Sequence, residues 1–344
     1  MRRRETAMLL PSSMGKRLFA LVSLIVLFTT AGCISGSSEE HRPSLYPTGP
    51  QPRSEAPLTF GILYPIAHPF YEMITQMTEE AAAPLEIELI VKAPDEFNIE
   101  QQIRMMEQMI KQEVDGIAVS PVDGDALAPV IDRAVLAGIP VICFETDSPD
   151  SSRSTYIGSN HDEAGILVGE VLDGLLKGRG MVLVESGFPK LPAQQQRLDG
   201  MLQYINTKTD IQVLDVRFNN GSEDQALADM EIMIDGHPHF DAFVSLDLWS
   251  PASSILVWKA KGLNRDVIAF GMQSDIKEAI HNGQITSVIS QNEQRWATEI
   301  ISSLVSAAHK KPLPDHIDTG TAVLTRDTVD AFPDVTRLQK RQRR

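Results

Sequence analysis

From Leu58 onward, short apolar runs and longer amphipathic stretches alternate along the chain almost without a break. Leu58–Tyr64 reads as a buried strand, followed by a helix over about Pro69–Ala83 and a strand over Leu85–Val91. The segment Asn98–Gln112 places Ile99, Ile103, Met106 and Ile110 at spacings of four, three and four, which is one face of a helix. A strand at Gly116–Ser120, a helix at Ala126–Ala137 and a strand at Pro140–Phe144 continue the series. Apolar runs this short, with turn residues at their carboxyl ends, predict parallel strands covered on both faces by helices.

A second series opens near Asn160. It begins with helix Asp162–Leu176, strand Met181–Glu185, helix Gln194–Asn206 and strand Ile211–Phe218. Helix Ser222–Ile234, strand Ala242–Ser245, helix Pro251–Ala260 and strand Val267–Phe270 follow. Helix Ser274–His281, strand Ile285–Gln291, helix Arg295–Ala308 and a closing strand near Thr319–Leu324 complete it. The economical architecture is two α/β lobes of similar size. Open α/β sheets bind ligands beyond the carboxyl ends of their strands, so two lobes with those ends facing would enclose a cleft.

The stretch ahead of the first strand has a different character. Lys16 and Arg17 precede an apolar run, Leu18–Phe28, and then Thr29-Thr30-Ala31-Gly32-Cys33. A cationic start, an apolar segment too brief to span a bilayer and small residues at its end describe an export signal over residues 1–32. The Ala-Gly-Cys ending resembles the lipobox of bacterial lipoproteins, in which the cysteine is lipidated and becomes the new N-terminus. Thr30 departs from it, standing where Leu is usual. An ordinary cleaved signal or a membrane anchor would equally place the body outside the cytoplasm, in the cell envelope or periplasm. The lead before Lys16 is long for a signal, and Met8 and Met14 are alternative starts. Between Ser35 and Pro57, five prolines (43, 47, 50, 52 and 57) lie among Ser, Gly and charge. Such a composition buries no core and reads as a tether over 33–57.

Cleavage before Cys33 would leave 312 residues, ample for two domains. The formal charge of −15 would fall to about −19, and so acidic a surface excludes nucleic acid as a partner. Five basic residues in the last eight form a terminal tail, 331–344, of the solvated kind. With Cys33 lipidated, Cys143 is the only thiol left. It stands in the apolar run 139–144 and reads as a small buried hydrophobe rather than a nucleophile.

Candidate chemistry gathers at the strand ends. Tyr64 closes the first strand, and His68-Pro69-Phe70-Tyr71 opens the first helix. Adjacent aromatics on a helix diverge by about 100°, so at least one of Phe70 and Tyr71 is free to stack on a ligand. Glu145-Thr146-Asp147 follows the strand ending at Phe144, and Asp247-Leu248-Trp249 repeats an acid at a strand end in the second half. Carboxylates there accept paired hydroxyls or cap helices. Gln195, Arg197, Gln273 and Gln291 complete a polar set, and amides offer both donors and acceptors to neutral polyols. Signs of catalysis are missing. Gly178-Arg-Gly180 precedes its strand and lacks the third glycine of a dinucleotide loop, and no phosphate loop is present. The eight histidines show no metal spacing, and no serine elbow appears. No catalytic residue, metal or cofactor is therefore expected.

Six segments together resemble a known family. They are His68-Pro-Phe-Tyr71, Asp115-Gly-Ile-Ala-Val-Ser-Pro121, Ala137-Gly-Ile-Pro-Val-Ile142, Tyr156-Ile-Gly-Ser-Asn160, Gln196-Arg-Leu-Asp-Gly200 and Ala279-Ile-His-Asn-Gly283, with Gln291 behind the last. Their order over Leu58 to Val329 is similar to the type I periplasmic sugar-binding proteins of ATP-binding-cassette transporters, near the ribose-binding proteins. The resemblance implies two Rossmann-like, doubly wound parallel-sheet lobes joined by a three-strand hinge. Its crossovers would fall near Gly158–Asn160, Gln291–Asn292 and Thr321–Leu324. One lobe would hold residues 58–159 and 292–321, the other 160–291 and 322–330. By that likeness Phe70 and Tyr71 stack on a sugar ring, and His68 stands where an Asn bonds hydroxyls. Glu145 stands at a sugar-binding Asp, Gln195 at a ligand-binding Arg, Asp247 at an Asn contact and Gln273 at a hydroxyl-binding Asp, while Gln291 matches the family Gln. Several ribose-contacting charges are replaced, which points away from ribose toward another pentose, a hexose, inositol or a derivative. The implied role is a monomeric lipoprotein that captures a sugar or polyol and delivers it to a membrane permease. Two other readings stay open: a sensor whose closed form docks on a membrane signalling partner, and a Rossmann-type sugar enzyme. A lac-type repressor needs a basic helix-turn-helix where the export signal stands.

Overall fold

The computed structural model describes residues 57–332. The export signal, Cys33, the tether up to residue 56 and the tail from residue 333 lie outside the described residues. Two six-stranded sheets form the body. The first contains β1 (Thr59–Leu63), β2 (Glu88–Lys92), β3 (Gly116–Val119), β4 (Val141–Phe144), β5 (Thr155–Gly158) and β11 (His316–Asp318), in the order β11-β5-β4-β3-β1-β2 and all parallel. The second contains β6 (Arg179–Ser186), β7 (Asp210–Phe218), β8 (Ala242–Ser245), β9 (Asp266–Phe270), β10 (Ser287–Ser290) and β12 (Ala322–Leu324), in the order β12-β10-β9-β8-β6-β7. Only β12, paired with β10, runs antiparallel. The expected pair of doubly wound α/β lobes is the observed architecture. Strands β3, β4, β5, β8 and β10 are buried along their whole length, as crossover helices on both faces require.

Several helices begin where the sequence supplies side-chain caps. Asn98 accepts from Gln101 N (2.9 Å) ahead of α2 (Ile99–Lys111), and Asp123 from Ala126 N (2.9 Å) ahead of α3 (Gly124–Leu136). Asn160 caps α4 (His161–Leu176) and Ser222 caps α6 (Glu223–Gly236). The remaining helices are α1 (Pro69–Ala82), α5 (Pro192–Lys208), α7 (Ser250–Lys261), α8 (Ser274–His281) and α9 (Glu293–Ala308). Helices α4 and α5 approach closely through two glycines. A Cβ on Gly165 would stand 2.1 Å from the Arg197 carbonyl oxygen, and one on Gly200 2.3 Å from that of Asp162. That contact fixes the axis of α5, and with it the place of Arg197.

Three differences from the sequence reading have local causes. The pattern did not single out β5 and β11, because β5 carries only Tyr156 and Ile157 as large apolar residues and β11 only Ile317, too few for an apolar run to register. The closing strand expected near Thr319–Leu324 is β12 and starts only at Ala322, with residues 319–321 as the crossing from β11 to the other sheet. Leu85 belongs to a short turn, Ala83–Leu85, and is exposed, because Pro84 ends the preceding helix and β2 starts only at Glu88.

The chain passes between the sheets three times, after β5, after β10 and after β11. Buried Thr319 ties the passages together. Its hydroxyl donates to the Gln291 carbonyl (3.1 Å) and accepts from the Trp296 indole (3.3 Å), and its backbone N–H donates to the Gly158 carbonyl (3.1 Å). Its own carbonyl accepts from Asn292 Nδ2 (2.8 Å). Glu293, the first residue of α9, adds a second tie. Its buried carboxylate accepts from the backbone N–H groups of Met272 (3.0 Å) and Gln291 (3.2 Å) and from the Ser290 hydroxyl. Burial pushes the Glu293 carboxyl up from the ordinary range, against the pull of these donors.

Candidate functional site

The carboxyl ends of the strands of both sheets border one tight cavity of about 20 Å³. The first lobe contributes Tyr71, Glu145 and Thr146, the second Gln194, Arg197, Asp247 and Trp249, and the hinge Gln291; Pro65, Phe97, Pro121, Leu191 and Leu248 fill the apolar remainder.

Glu145 follows β4 in a left-handed conformation (φ 62°), which turns its side chain out of the strand direction. One carboxylate oxygen, Oε2, accepts from the Tyr71 hydroxyl (2.8 Å) and the Ser120 hydroxyl (3.0 Å). Among the described residues, Oε1 accepts from none. The Glu145 carbonyl is fixed by the Tyr156 hydroxyl (2.8 Å) and by His161 Nε2 (3.0 Å). Burial raises the Glu145 carboxyl above its ordinary range, while the two hydroxyls and the Arg197 charge act the other way. Burial also holds the imidazoles neutral, His161 at about 3 and His68 at about 4.

Arg197 enters from α5 and is 5% exposed. Its Nε donates to the Ala193 carbonyl (3.2 Å), its Nη1 to the Leu246 carbonyl (2.9 Å), and its guanidinium lies 4.0 Å over the Phe270 ring. No carboxylate among the described residues pairs with it, and Nη2 is free. Desolvation lowers it to about 10, with Glu145 the strongest opposing charge. Glu145 and Arg197 thus sense each other across the cleft without contact. Gln291 adds a buried side-chain oxygen, Oε1, that has no partner.

Asp247 is placed as a helix cap. Its Oδ1 accepts from Trp249 N (2.7 Å) and Ser250 N (2.9 Å), and its Oδ2 accepts from the Ser250 hydroxyl, at the start of α7. Burial raises its carboxyl despite these donors. Behind it stands Glu185, fully buried at the end of β6. Its Oε1 receives a long bond from Asn219 Nδ2 (3.4 Å), and its Oε2 has no partner. Burial first, then the Asp247 charge, push Glu185 up to about 9, so it is neutral at pH 7.

Of the residues singled out in the sequence, Tyr71, Glu145, Thr146, Arg197, Asp247, Trp249 and Gln291 come together on the cavity. The others do not border it. Tyr64 lies beneath Tyr71, stacked at 4.9 Å, with its hydroxyl accepting from Thr75. Phe70 is fully buried between Tyr71 and Trp296 and is a core residue. His68 caps α1, its Nδ1 accepting from Phe70 N (3.1 Å), and meets Trp249 edge-on at 5.6 Å. Asp147 is turned to Arg153, which it grips with both oxygens (2.8 Å to Nη2). Gln195 bonds Asp199 on the outer face of α5 (2.9 Å), and Gln273 donates to the Leu248 carbonyl (2.9 Å). Cavity positions absent from the sequence reading are Gln194, Phe97 and, behind Asp247, Glu185. Gln194 borders the cavity where Gln195 was expected, because one residue on a helix turns the side chain by about 100°. Pro192 at the helix start was the available signal for the register. Phe97 stands in the loop after β2, where the strand-end rule would have found it.

The periplasmic binding protein domain model matches residues 61–312, most of the body. The chain belongs to the periplasmic binding protein family. Its members are binding proteins rather than enzymes. The ribose import binding protein of Bacillus subtilis is 21% identical over 242 residues, 69% of this chain and 78% of the relative. A D-ribose/D-allose-binding protein of Pseudomonas aeruginosa is 25% identical over 205 residues, covering 57% of this chain and 64% of the relative, just under two thirds. Among solved structures, a solute-binding protein from Burkholderia graminis in complex with D-arabinose superposes with a TM-score of 0.76 at 23% identity, covering 80% of this chain and 97% of its own. A periplasmic solute-binding protein from Actinobacillus succinogenes with bound D-allose gives 0.76 at 21% identity, covering 80% and 100%. These likenesses fix the two-lobed fold.

Proposed function

We propose that this chain is the substrate-binding component of an ATP-binding-cassette importer, capturing a sugar or related polyol between its lobes and presenting the closed form to a membrane permease. The reading rests chiefly on Glu145 and Arg197, which face one cavity from opposite lobes with Oε1 and Nη2 unengaged. A hydroxyl is both donor and acceptor, so a single hydroxylated ring satisfies the carboxylate, the guanidinium and the orphan oxygen of Gln291 at once. Such a ligand stabilises the form in which both lobes reach it, and so shifts the open–closed population. The one buried cation beside Glu145 and Asp247 leaves no surplus positive charge for a sugar phosphate. Relatives named for ribose, allose, xylose, arabinose and xylitol support the ligand class.

The lobes bounded as 58–159 with 292–321 and 160–291 with 322–330 would move as the two bodies of a monomer. An export signal ending at Gly32 and a lipid on Cys33 would hold the body at the membrane outside the cytoplasm, in keeping with the family's periplasmic setting. The test is a melting-temperature screen of the purified protein against pentoses, hexoses, inositols and pentitols. A ligand at 100 times its Kd adds about 2.7 kcal/mol and raises the Tm visibly. A specific shift with recovery of the sugar unchanged is expected. No shift with any of them, or conversion of the sugar, would overturn the reading.

A further inference from the structure

Four aromatic rings meet where the lobes face each other, two from each side. His68 and Phe97 stand on the loops after β1 and β2, and Phe188 and Trp249 on the loops after β6 and β8. Phe97 and Phe188 lie 4.2 Å apart between centroids, Phe97 and Trp249 5.9 Å, Phe188 and Trp249 6.0 Å, and His68 and Trp249 5.6 Å. The three longer separations are those of attractive ring pairs, Phe97 and Phe188 lie closer still at a tilt of 39°, and three of the four pairs cross from one lobe to the other. Phe97 and Trp249 border the cavity, whereas Phe97 and Phe188 are also half-exposed. The polar groups Glu145, Arg197, Asp247 and Gln291 are all buried. Phe97 therefore borders the cavity on a side open to solvent, with Phe188 stacked against it from the other lobe. Phe188 is backed by Gly221 (φ 77°), where a Cβ would stand 2.7 Å from its Cζ.

We propose that Phe97 and Phe188 are specificity determinants of the binding site. Their contact across the lobes favours closure before a ligand arrives, and it sets the mouth of the cavity against any guest larger than a single unextended ring. The size limit rests on the sugar-binding reading above, while the closure does not. A guest carrying a further substituent toward the mouth has to part the rings and forfeits the attraction that closes the lobes. Neither phenylalanine needs to touch the ligand. Each ring contact is of the size that changes a closed-to-open ratio about two- to ten-fold.

The test has one arm without ligand and one with it, both on the full chain. Spin labels on Asp125→Cys at the start of α3 and Asp224→Cys at the start of α6, both exposed, report the separation of the lobes. Without sugar, the distance distribution is expected to include a closed population that falls about two- to ten-fold in Phe97→Ala and Phe188→Ala. Phe97→Leu, which keeps apolar bulk without the ring, guards against misfolding and is expected to fall between. A ligand-free distribution unchanged by all three substitutions overturns the clasp. In the second arm, D-ribose, D-allose, D-arabinose and xylitol are compared with the methyl glycosides of the three sugars. Wild type is expected to prefer the bare ring, and both alanine variants to narrow the preference about ten-fold. Equal binding of sugar and glycoside by wild type overturns the size limit. Failure of all four probes instead counts against the sugar-binding reading and leaves the clasp to be judged by the distances.

Discussion

Replacing Glu185 by glutamine should flatten the dependence of stability on alkaline pH. In the unfolded chain the carboxyl titrates near its ordinary 4.5, whereas in the folded protein burial and the Asp247 charge hold its proton to about 9. Between those values unfolding releases a proton, so stability falls as pH rises. The contribution is fully present below pH 4.5 and is lost progressively up to about pH 9. The slope is about 1.4 kcal/mol per pH unit, hence about 2 kcal/mol between pH 7 and 8.5. Glutamine keeps the shape and an Asn219 contact but cannot ionise. The groups facing Glu185, namely Asn219, Asp247, Asp229 and Arg217, are the same in both proteins, so the difference between the two curves isolates the Glu185 proton. Urea unfolding at pH 7, 7.75 and 8.5 measures both proteins. Wild type should lose about 2 kcal/mol more than the variant across the range. Parallel curves would refute a neutral Glu185, and with it the account of how the floor beneath Asp247 is built.

Two further substitutions separate binding from folding. Glu145→Ala should remove the ligand-induced Tm shift, because a buried polar partner is lost from the bridge, while Asp247→Ala should do so and also lower apo stability by about 1 kcal/mol through loss of the α7 cap; Tm with and without sugar reads both, and a full ligand response in either would remove that residue from the site. Gly200→Ala should destabilise by roughly 2 kcal/mol or more, since its Cβ would collide with the Asp162 carbonyl and force α4 from α5; chemical denaturation measures it, and an unchanged midpoint would contradict the close packing that fixes Arg197.

The alternating pattern revealed both sheets and all nine described helices, because burial on two faces leaves apolar runs that periodicity detects. It did not single out β5 and β11, whose pairing depends on neighbours distant in sequence rather than on their own composition. The site was half legible. Strand ends point to Glu145, Asp247 and Gln291, since topology alone puts those positions at the cleft. Which neighbour turns inward is decided by dihedrals and helix phase. Glu145 faces the cavity through its left-handed backbone while Asp147, two residues on, is drawn off by Arg153. Gln194 replaces Gln195 through the phase set at Pro192. Phe70 and Tyr71 divide as adjacent helical aromatics must, with Tyr71 on the cavity and Phe70 in the core. Glu185 closes its predicted strand, but no sequence signal marks it as neutral, because only tertiary burial makes a carboxyl at a strand end neutral.

The most direct test is a crystal structure of the protein with the sugar that raises its melting temperature most. The account predicts one ring between the lobes, with its hydroxyl oxygens within hydrogen-bond distance of both Glu145 Oε1 and Arg197 Nη2 and a third donating to Gln291 Oε1. A sugar held by one lobe alone, or one that leaves either charged group unengaged, would contradict it.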